Sequence, residues 1–249
     1  MKKKKVSCII VSYNDKAHVQ KCVASIPVDP AIEVIVVDNT ADNRGFAKGC
    51  NTGANQAQGE YLFFINPDTR LLPHTIAQLV AALENDPTIG IIAPQLLNAE
   101  KKPYLSFTRQ PRWYSAPIVF SFINKLWPHN PISKWHFYQD SSLNTHLKLE
   151  AVSGAAFMIS KKLYTQIQGF DEHYFMYWED YDICKKVTQQ HKNIFYFPEA
   201  QCVHYGGGSS SEKKNTTKYF LEARKYFFTK YFGPVYAQLL EWWLQLPQL

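Results

Sequence analysis

Along the first hundred residues, uninterrupted apolar runs alternate with segments of helical spacing. Cys8 to Ser12 reads as a strand ending at Tyr13-Asn14, and Lys16 to Ile26 follows with a helical pattern. Glu33 to Val37 forms a second strand ending at Asp38-Asn39, and a helix carrying Asn51, Ala54 and Ala57 leads to a third strand, Tyr61 to Ile65. That strand stops abruptly at Asn66-Pro67-Asp68; Leu72 to Glu84 is helical again and Gly90 to Ala93 is a short strand. Apolar runs with no polar alternation, separated by helices, predict an α/β fold with a buried, mostly parallel sheet. Ligands of such sheets bind beyond the carboxyl ends of the strands. Tyr13-Asn14, Asp38-Asn39 and Asn66-Pro67-Asp68 all fall there, which points to a nucleotide site.

The character changes from about Asn98 to Glu150. Pro, Trp, Phe, Lys and Arg dominate, as in Thr108-Arg109-Gln110-Pro111-Arg112-Trp113, and predict an irregular, partly helical insertion. A strand resumes at Leu147–Val152, Gly154 to Ile159 leads to a helix from Lys161, and Lys218 to Leu246 reads as two helices broken at Gly233-Pro234. No repeat or low-complexity tract interrupts this order.

Composition narrows the function classes. Five cysteines, an odd number with no C-x-x-C spacing, argue against a disulfide framework or zinc ribbon and for a reducing compartment. The basic Met1–Lys5 runs straight into a strand, unlike a signal peptide, and no stretch of eighteen apolar residues exists to span a membrane. The expected location is cytoplasmic, with peripheral contact to a membrane. A net charge of +6 suits anionic substrates or an anionic membrane surface.

The densest chemistry lies in Gly169–Asp182. Asp171, Glu172, His173, Glu179, Asp180 and Asp182 are interleaved there with Phe170, Tyr174, Phe175, Met176, Tyr177, Trp178 and Tyr181. Aromatic packing partly desolvates a carboxylate and raises its basicity, as a general base requires. The plainer alternative is a helix N-terminus whose acidic residues stabilise the dipole.

Three features together carry a resemblance: Asn66-Pro67-Asp68 at a strand end, the Gly169–Asp182 block, and His204-Tyr205-Gly206-Gly207-Gly208 after a late strand. In this order they resemble the family 2 glycosyltransferases, inverting enzymes of the Rossmann-like GT-A fold, and their rhamnosyltransferase-like branch in particular. The correspondence runs from about Val6 to about Tyr231. It implies one GT-A domain over 1–231, with residues 98–150 inserted on the acceptor side, and a helical tail over 232–249.

The resemblance also implies roles. Asn43-Arg44-Gly45-Phe46-Ala47-Lys48-Gly49-Cys50-Asn51 is similar to the family's Asn-x-Gly-Phe-Ala-x-Gly-x-Asn beside the nucleotide. Gly45 permits close backbone approach, and Arg44 or Lys48 offsets phosphate charge. Tyr13 and Asn14 stand at the base contact. Asp38 holds base or ribose, or else merely closes an Asx-turn. Asn66 occupies the first place of the common Asp-x-Asp, leaving Asp68 as the carboxylate for Mg²⁺ or Mn²⁺, with His204 as a second metal or phosphate contact. The family's usual His-His-Gly reads His204-Tyr205-Gly206 here. A single displacement at the anomeric carbon needs one base and a cation for the leaving diphosphate. The resemblance makes Asp180 that base, with Glu179, Gly154 and Trp178 on the acceptor or sugar side and Asp182 capping a helix; burial is the alternative fate of Trp178.

The expected activity is metal-dependent transfer, with inversion, of a sugar from dTDP-L-rhamnose to a lipid-linked glycan at the inner face of a bacterial membrane. A UDP-hexose, UDP-galactofuranose or UDP-N-acetylhexosamine donor is the alternative within the fold, and a non-catalytic nucleotide-sugar-binding subunit the alternative outside it. A nucleotidyltransferase would carry a Gly-rich basic loop after the first strand, which Val11–Asp15 is not, and no nucleic-acid partner is expected. In the tail, Val235, Leu239, Trp242 and Leu246 form an apolar stripe widened by Tyr236, Leu240 and Trp243. Such a stripe either packs on the domain or lies in a membrane interface.

Overall fold

The computed structural model describes residues 4–206 and 213–245. Gly207, Gly208 and Leu246, named above, lie outside the described residues. The strands are β1 (Val6–Ser12), β2 (Ile32–Asp38), β3 (Tyr61–Ile65), β4 (Thr69–Leu71), β5 (Ile89–Leu97), β6 (Phe107–Thr108), β7 (Leu147–Leu149), β8 (Ala151–Val152), β9 (Ala156–Ser160) and β10 (Asn193–His204). The helices are α1 (Lys16–Ser25), α2 (Phe46–Gln56), α3 (Thr75–Asn85), α4 (Ala116–Val119), α5 (Phe122–Leu126), α6 (Pro131–His136), α7 (Lys161–Gln166), α8 (Glu179–Gln189), α9 (Lys213–Phe232) and α10 (Pro234–Gln245).

The main sheet runs β2-β1-β3-β9-β5-β10-β4, with β7 also paired to β10. β1 is parallel to β2 and β3, and β10 to β5. β9 lies antiparallel between β3 and β5, and β4 and β7 are antiparallel to β10. Every residue of β1 is buried, because helices cover both faces of the sheet. One face carries Ile9, Phe64, Phe157 and Ile159, the other Cys8, Ile10, Phe63 and Met158, as the two-residue period of a strand requires.

Two strands differ from the sequence expectation. The strand at Gly90–Ala93 extends over nine residues, Ile89–Leu97, since β10 supplies a partner along its whole length. Leu147–Val152 breaks at Glu150: β7 joins the main sheet, while β8 pairs with β6 in a separate two-stranded sheet. The Glu150 side chain turns outward to Arg109 and Arg112 and accepts the Gln110 backbone N–H, and this redirects the chain.

The insertion is irregular with three short helices, α4 to α6, while the tail folds back over the core. α9 packs Phe227 and Phe228 inward, and both are fully buried. The expected tail stripe divides into two faces. Tyr236, Ala237, Leu240 and Trp243 face the protein, with Tyr236 Oη donating to the Trp113 carbonyl (2.6 Å) and Trp243 Nε1 to that of Pro117 (2.8 Å). Val235, Leu239 and Trp242 face outward. α9 and α10 are clamped by a buried bidentate pair, Arg224 Nε and Nη2 to the two Glu241 oxygens at 2.9 and 2.7 Å. Among the described residues, no helix is long and apolar enough to cross a membrane.

Removing one member of a buried ion pair strands the other charge, at a cost of about 3–5 kcal/mol. Glu241→Ala should therefore lower the unfolding free energy by about 3 kcal/mol or more in urea titrations. An unchanged midpoint would show that the Arg224–Glu241 pair does not hold α10 to α9.

Candidate active site

The polar ends of β1 and β2 open on a pocket of about 310 Å³. Its walls include Tyr13, Asn39, Asn43, Phe46, Phe175 and Tyr219. The loop before α2 is held by its own side chains: Asn39 Nδ2 donates to the Gly45 carbonyl (3.0 Å), and the Gly45 N–H donates to Asn43 Oδ1 (3.1 Å). Gly45 has φ +88°, and a Cβ there would run into the Phe175 carbonyl. That same carbonyl accepts the Phe46 N–H at 2.7 Å, so the loop after β2 is fastened to the Gly169–Trp178 loop. Only glycine satisfies both the φ and the approach.

Of the sequence-predicted donor contacts, Tyr13, Asn43, Gly45 and Phe46 line this pocket, and Asp38, Asn14, Arg44, Lys48, Asn51 and Asn66 do not. Asp38 is exposed and closes an Asx-turn on the Thr40 N–H (2.9 Å); hydrogen bonds from Thr40 hold its carboxyl below the ordinary value. Asn14 sits at φ +53° and donates its N–H to Thr40. Arg44 pairs with Asp42 and Lys48 with Glu172, both at the surface. Asn51 points away from the pocket, bonding the Phe170 N–H and carbonyl, Glu172 and the Tyr164 hydroxyl. Its role in this structure is to pin α2 to the loop leading to α8. Asn66 contributes its backbone, which bonds Ala155 and Thr69.

Asn39, named with Asp38 at the strand end, lines the pocket, whereas Asp15, Phe175 and Tyr219 line it with no donor role expected from the sequence. Asp15 caps α1, binds His18 through Oδ1 and leaves Oδ2 buried without a partner beside the pocket. An acidic residue directly after Tyr13-Asn14 was the available signal. Phe175 and Tyr219 meet with ring centroids 4.3 Å apart, a contact between distant segments that no local pattern announces.

Asp68 and His204 come together across 136 residues because β4 pairs antiparallel with β10, with His204 opposite Thr69. His204 Nε2 lies 3.3 Å from Asp68 Oδ1, which is buried with no hydrogen-bond partner. Burial pushes the Asp68 carboxyl up, but the His204 imidazole and, further off, His18 outweigh it, and the carboxyl stays below its ordinary value. Tyr104, from the insertion, binds His204 Nδ1 at 2.7 Å. That leaves Nε2 facing the carboxylate, the orientation a metal-ligating histidine takes when its other nitrogen is occupied. An orphaned carboxylate oxygen and an imidazole nitrogen facing one point fit a Mg²⁺ or Mn²⁺ ion whose remaining ligands are diphosphate and water. No group of three such side chains occurs among the described residues.

On the other side of His204 lies a cleft of about 470 Å³, bounded by Tyr104, Thr108, Gln139, Asp180 and His204. Asp180 accepts the Tyr181 N–H at 2.8 Å. Burial raises its pKa to about 6, against the hydrogen bonds from Tyr181 and Gly154. Glu179 is deeper; burial and then the Asp180 charge push it up to about 8, and its Oε2 has no partner. Gly154 lies close to a residue of each cavity, since a Cβ there would stand 3.6 Å from Phe46 of the pocket and 3.9 Å from Asp180 of the cleft.

Two further expectations change. Trp178 offers no face to a sugar: it is buried among Phe120, Tyr181, Phe220, Phe227 and Phe228. Asp182 lies in the first turn of α8 but does not cap it. It is fully buried and its Oδ1 accepts from Lys230 (2.6 Å) and Tyr231 (2.8 Å) of α9. All five cysteines are buried and free.

The sequence model of Glycosyl transferase family 2 matches residues 39–182, more than half of the chain. The chain belongs to this family. It is similar to the N-acetylglucosaminyl-diphospho-decaprenol L-rhamnosyltransferase of Mycobacterium tuberculosis, 22% identical over 231 residues that cover 79% of this chain and 75% of that protein. It is also similar to the rhamnosyltransferase WbbL of Escherichia coli, 21% identical over 230 residues covering 80% and 83% respectively. Among solved structures, GalNAc-T7 with UDP, GalNAc and Mn²⁺ superposes with a TM-score of 0.56 at 15% identity over 98% of this chain. The chain spans only 56% of that structure's length, and the likeness establishes the shared GT-A fold. As a family 2 glycosyltransferase the protein is an enzyme, and its two cavities lie at the strand ends where the fold holds its substrates.

Burial and the neighbouring Asp180 charge hold the Glu179 carboxyl well above its ordinary value in the folded state, whereas the unfolded side chain loses its proton near that value, about 4.3. The folded form thus binds more protons between the two values, and the Glu179 contribution to stability falls as pH rises. Glu179→Gln removes this penalty. The melting temperature of the variant relative to wild type should climb between about pH 5 and pH 8 and then level off. A difference independent of pH would show that Glu179 is ionised when buried.

Proposed function

We propose that this enzyme transfers a sugar, L-rhamnose from dTDP-L-rhamnose, to a lipid-linked glycan acceptor with inversion at the anomeric carbon. The observation that carries the reading is a nucleotide-sized pocket walled by Phe46 together with a separate cleft holding Asp180 and His204, with Gly154 close to both Phe46 and Asp180. The donor base and ribose would occupy the pocket against Tyr13, Asn39 and Phe46. The diphosphate would reach the Asp68–His204 pair, where a bound Mg²⁺ or Mn²⁺ would neutralise charge on the leaving group.

Asp180 would accept the proton of the acceptor hydroxyl as its oxygen bonds to the anomeric carbon. The bond from that carbon to the diphosphate oxygen breaks, and its electron pair leaves with the nucleoside diphosphate. A pKa of about 6 keeps Asp180 mostly ionised at neutral pH yet more basic than an exposed aspartate. Burial and the Asp180 charge raise the Glu179 carboxyl behind it, which disfavours a second negative charge there. The choice of rhamnose and of a lipid-linked acceptor is supported by the names of the relatives from M. tuberculosis and E. coli. Such an acceptor would place the enzyme at the inner membrane surface.

Asp180→Asn should lower turnover by about 10²-fold or more while dTDP or UDP binding persists. In the wild type, kcat/KM should rise with pH through about 6 and then level, and the variant should lack that rise. Turnover close to wild type in the variant would remove Asp180 from the mechanism.

Chelation should abolish transfer and Mg²⁺ or Mn²⁺ restore it, and Asp68→Ala should weaken metal-dependent dTDP binding measured by calorimetry. Full activity in excess chelator would dismiss the metal. Turnover of a UDP-sugar with dTDP-L-rhamnose ignored would retain the transferase and replace the donor.

A further inference from the structure

Two segments far apart in the chain build one exposed apolar surface. From the insertion come Trp113, Leu126 and Trp127, exposed at 65%, 79% and 61%; from α10 come Val235, Leu239 and Trp242 at 73%, 61% and 60%. The segments are pinned side by side. Tyr236 binds the Trp113 carbonyl, Trp243 binds the Pro117 carbonyl, and the Phe122 and Trp243 rings lie 6.2 Å apart. Val235, Leu239 and Trp242 recur at helical spacing on the side of α10 opposite its buried Ala237 and Leu240, so their exposure is a property of the helix face.

Such side chains are ordinarily driven inward, and a cluster of this kind marks an interaction surface. Its charge selects the partner. Of the arginines and lysines in 104–139, Arg109 and Arg112 pair with Glu150 and Lys134 with Asp140, which leaves Lys125. On α10 the single acid, Glu241, is buried against Arg224. Lys125 stands between Phe122 and Leu126-Trp127 and forms no ion pair among the described residues. Exposed indoles and aliphatic side chains with this lysine among them match the interface of an anionic bilayer: indoles at headgroup depth, aliphatic chains deeper, an ammonium group on lipid phosphate.

We propose that the joint surface of the Trp113–Trp127 segment and α10 docks this enzyme on an anionic lipid bilayer. The purpose of docking rests on the lipid-linked-acceptor reading, whereas its evidence is the surface alone. The segment that carries Trp113 and Trp127 continues into Phe137 and Gln139 of the acceptor cleft, so docking also fixes the cleft relative to the membrane.

The test is co-sedimentation of the full chain with vesicles of phosphatidylethanolamine and phosphatidylglycerol. Wild type should bind at low salt, with a blue shift of tryptophan emission, and less to vesicles of phosphatidylcholine alone. Trp127→Ala combined with Trp242→Ala should lower the partition coefficient about tenfold or more, the scale expected when buried indole area is lost. Lys125→Glu, which reverses the charge while removing only two methylenes, should weaken binding to the anionic vesicles far more than to phosphatidylcholine. Unaltered melting temperature and dTDP or UDP affinity would show that the variants are folded. No wild-type binding, or equal binding by wild type and the double variant, overturns the proposal. So does a wild-type dimer in light scattering that Trp242→Ala converts to monomer, which would assign the surface to a second copy of the chain. Vesicle binding without transfer of any sugar would leave this proposal standing and defeat the rhamnosyl reading, and transfer to a soluble acceptor without vesicle binding would do the reverse.

Discussion

A carboxylate with no exposed surface, Asp182, dictates much of the architecture around the site. An isolated buried charge costs several kcal/mol, so the fold has to bring it partners. Lys230 and Tyr231 supply them, and Lys230 also binds Asp171 at 2.8 Å. Those contacts set the path of α9 across α8. Once α9 lies there, Phe227 and Phe228 cover Trp178, Tyr219 reaches the donor pocket, and Arg224 is presented to Glu241. The tail is thereby part of the machinery that shapes the site.

The approach to α8 carries strain. Tyr177 and Trp178 are both left-handed, with φ +73° and +67°, a conformation that costs bulky residues about 1–3 kcal/mol each. The aromatic cluster around Trp178 offsets that cost. The turn drives the indole inward and starts α8 at Glu179, so Asp180 falls in the first helical turn, at the edge of the cleft. The N-terminal dipole favours the ionised form there while burial opposes it. The sequence run could be taken as helix start or as catalytic base; in the folded chain Asp180, the proposed base, sits in the helix start, so the two readings do not exclude each other.

Long apolar runs made the sheet legible, because a strand buried on both faces has no other pattern. The clustering of polar residues at strand ends pointed to the pocket that Tyr13 and Asn39 line, the proposed donor site. Side-chain direction was harder to read. Asn51, Arg44 and Lys48 belong to a motif beside the pocket, yet one turn of helix separates Phe46, which lines it, from Asn51, which fastens the opposite side. Tyr104 lies in a segment without periodicity and meets His204 only after β10 is paired with β5, a contact across 100 residues. Glu150 broke a strand that its neighbours favour because three donors outside the strand compete for it. Trp178 was the reverse case, an aromatic residue beside acids whose large apolar area prevailed.

The two cavities have different origins in the chain. The donor pocket is assembled mainly from the ends of the sheet and the loop ahead of α8, and none of its walls comes from residues 98–150. The cleft takes Tyr104, Ser106, Thr108, Phe137 and Gln139 from that one uninterrupted stretch. If the cleft takes the acceptor as proposed, recombination or drift within the stretch would redraw acceptor choice while the pocket stayed as it was. An enzyme divided in this way can acquire a new glycan product by inheriting a single cassette.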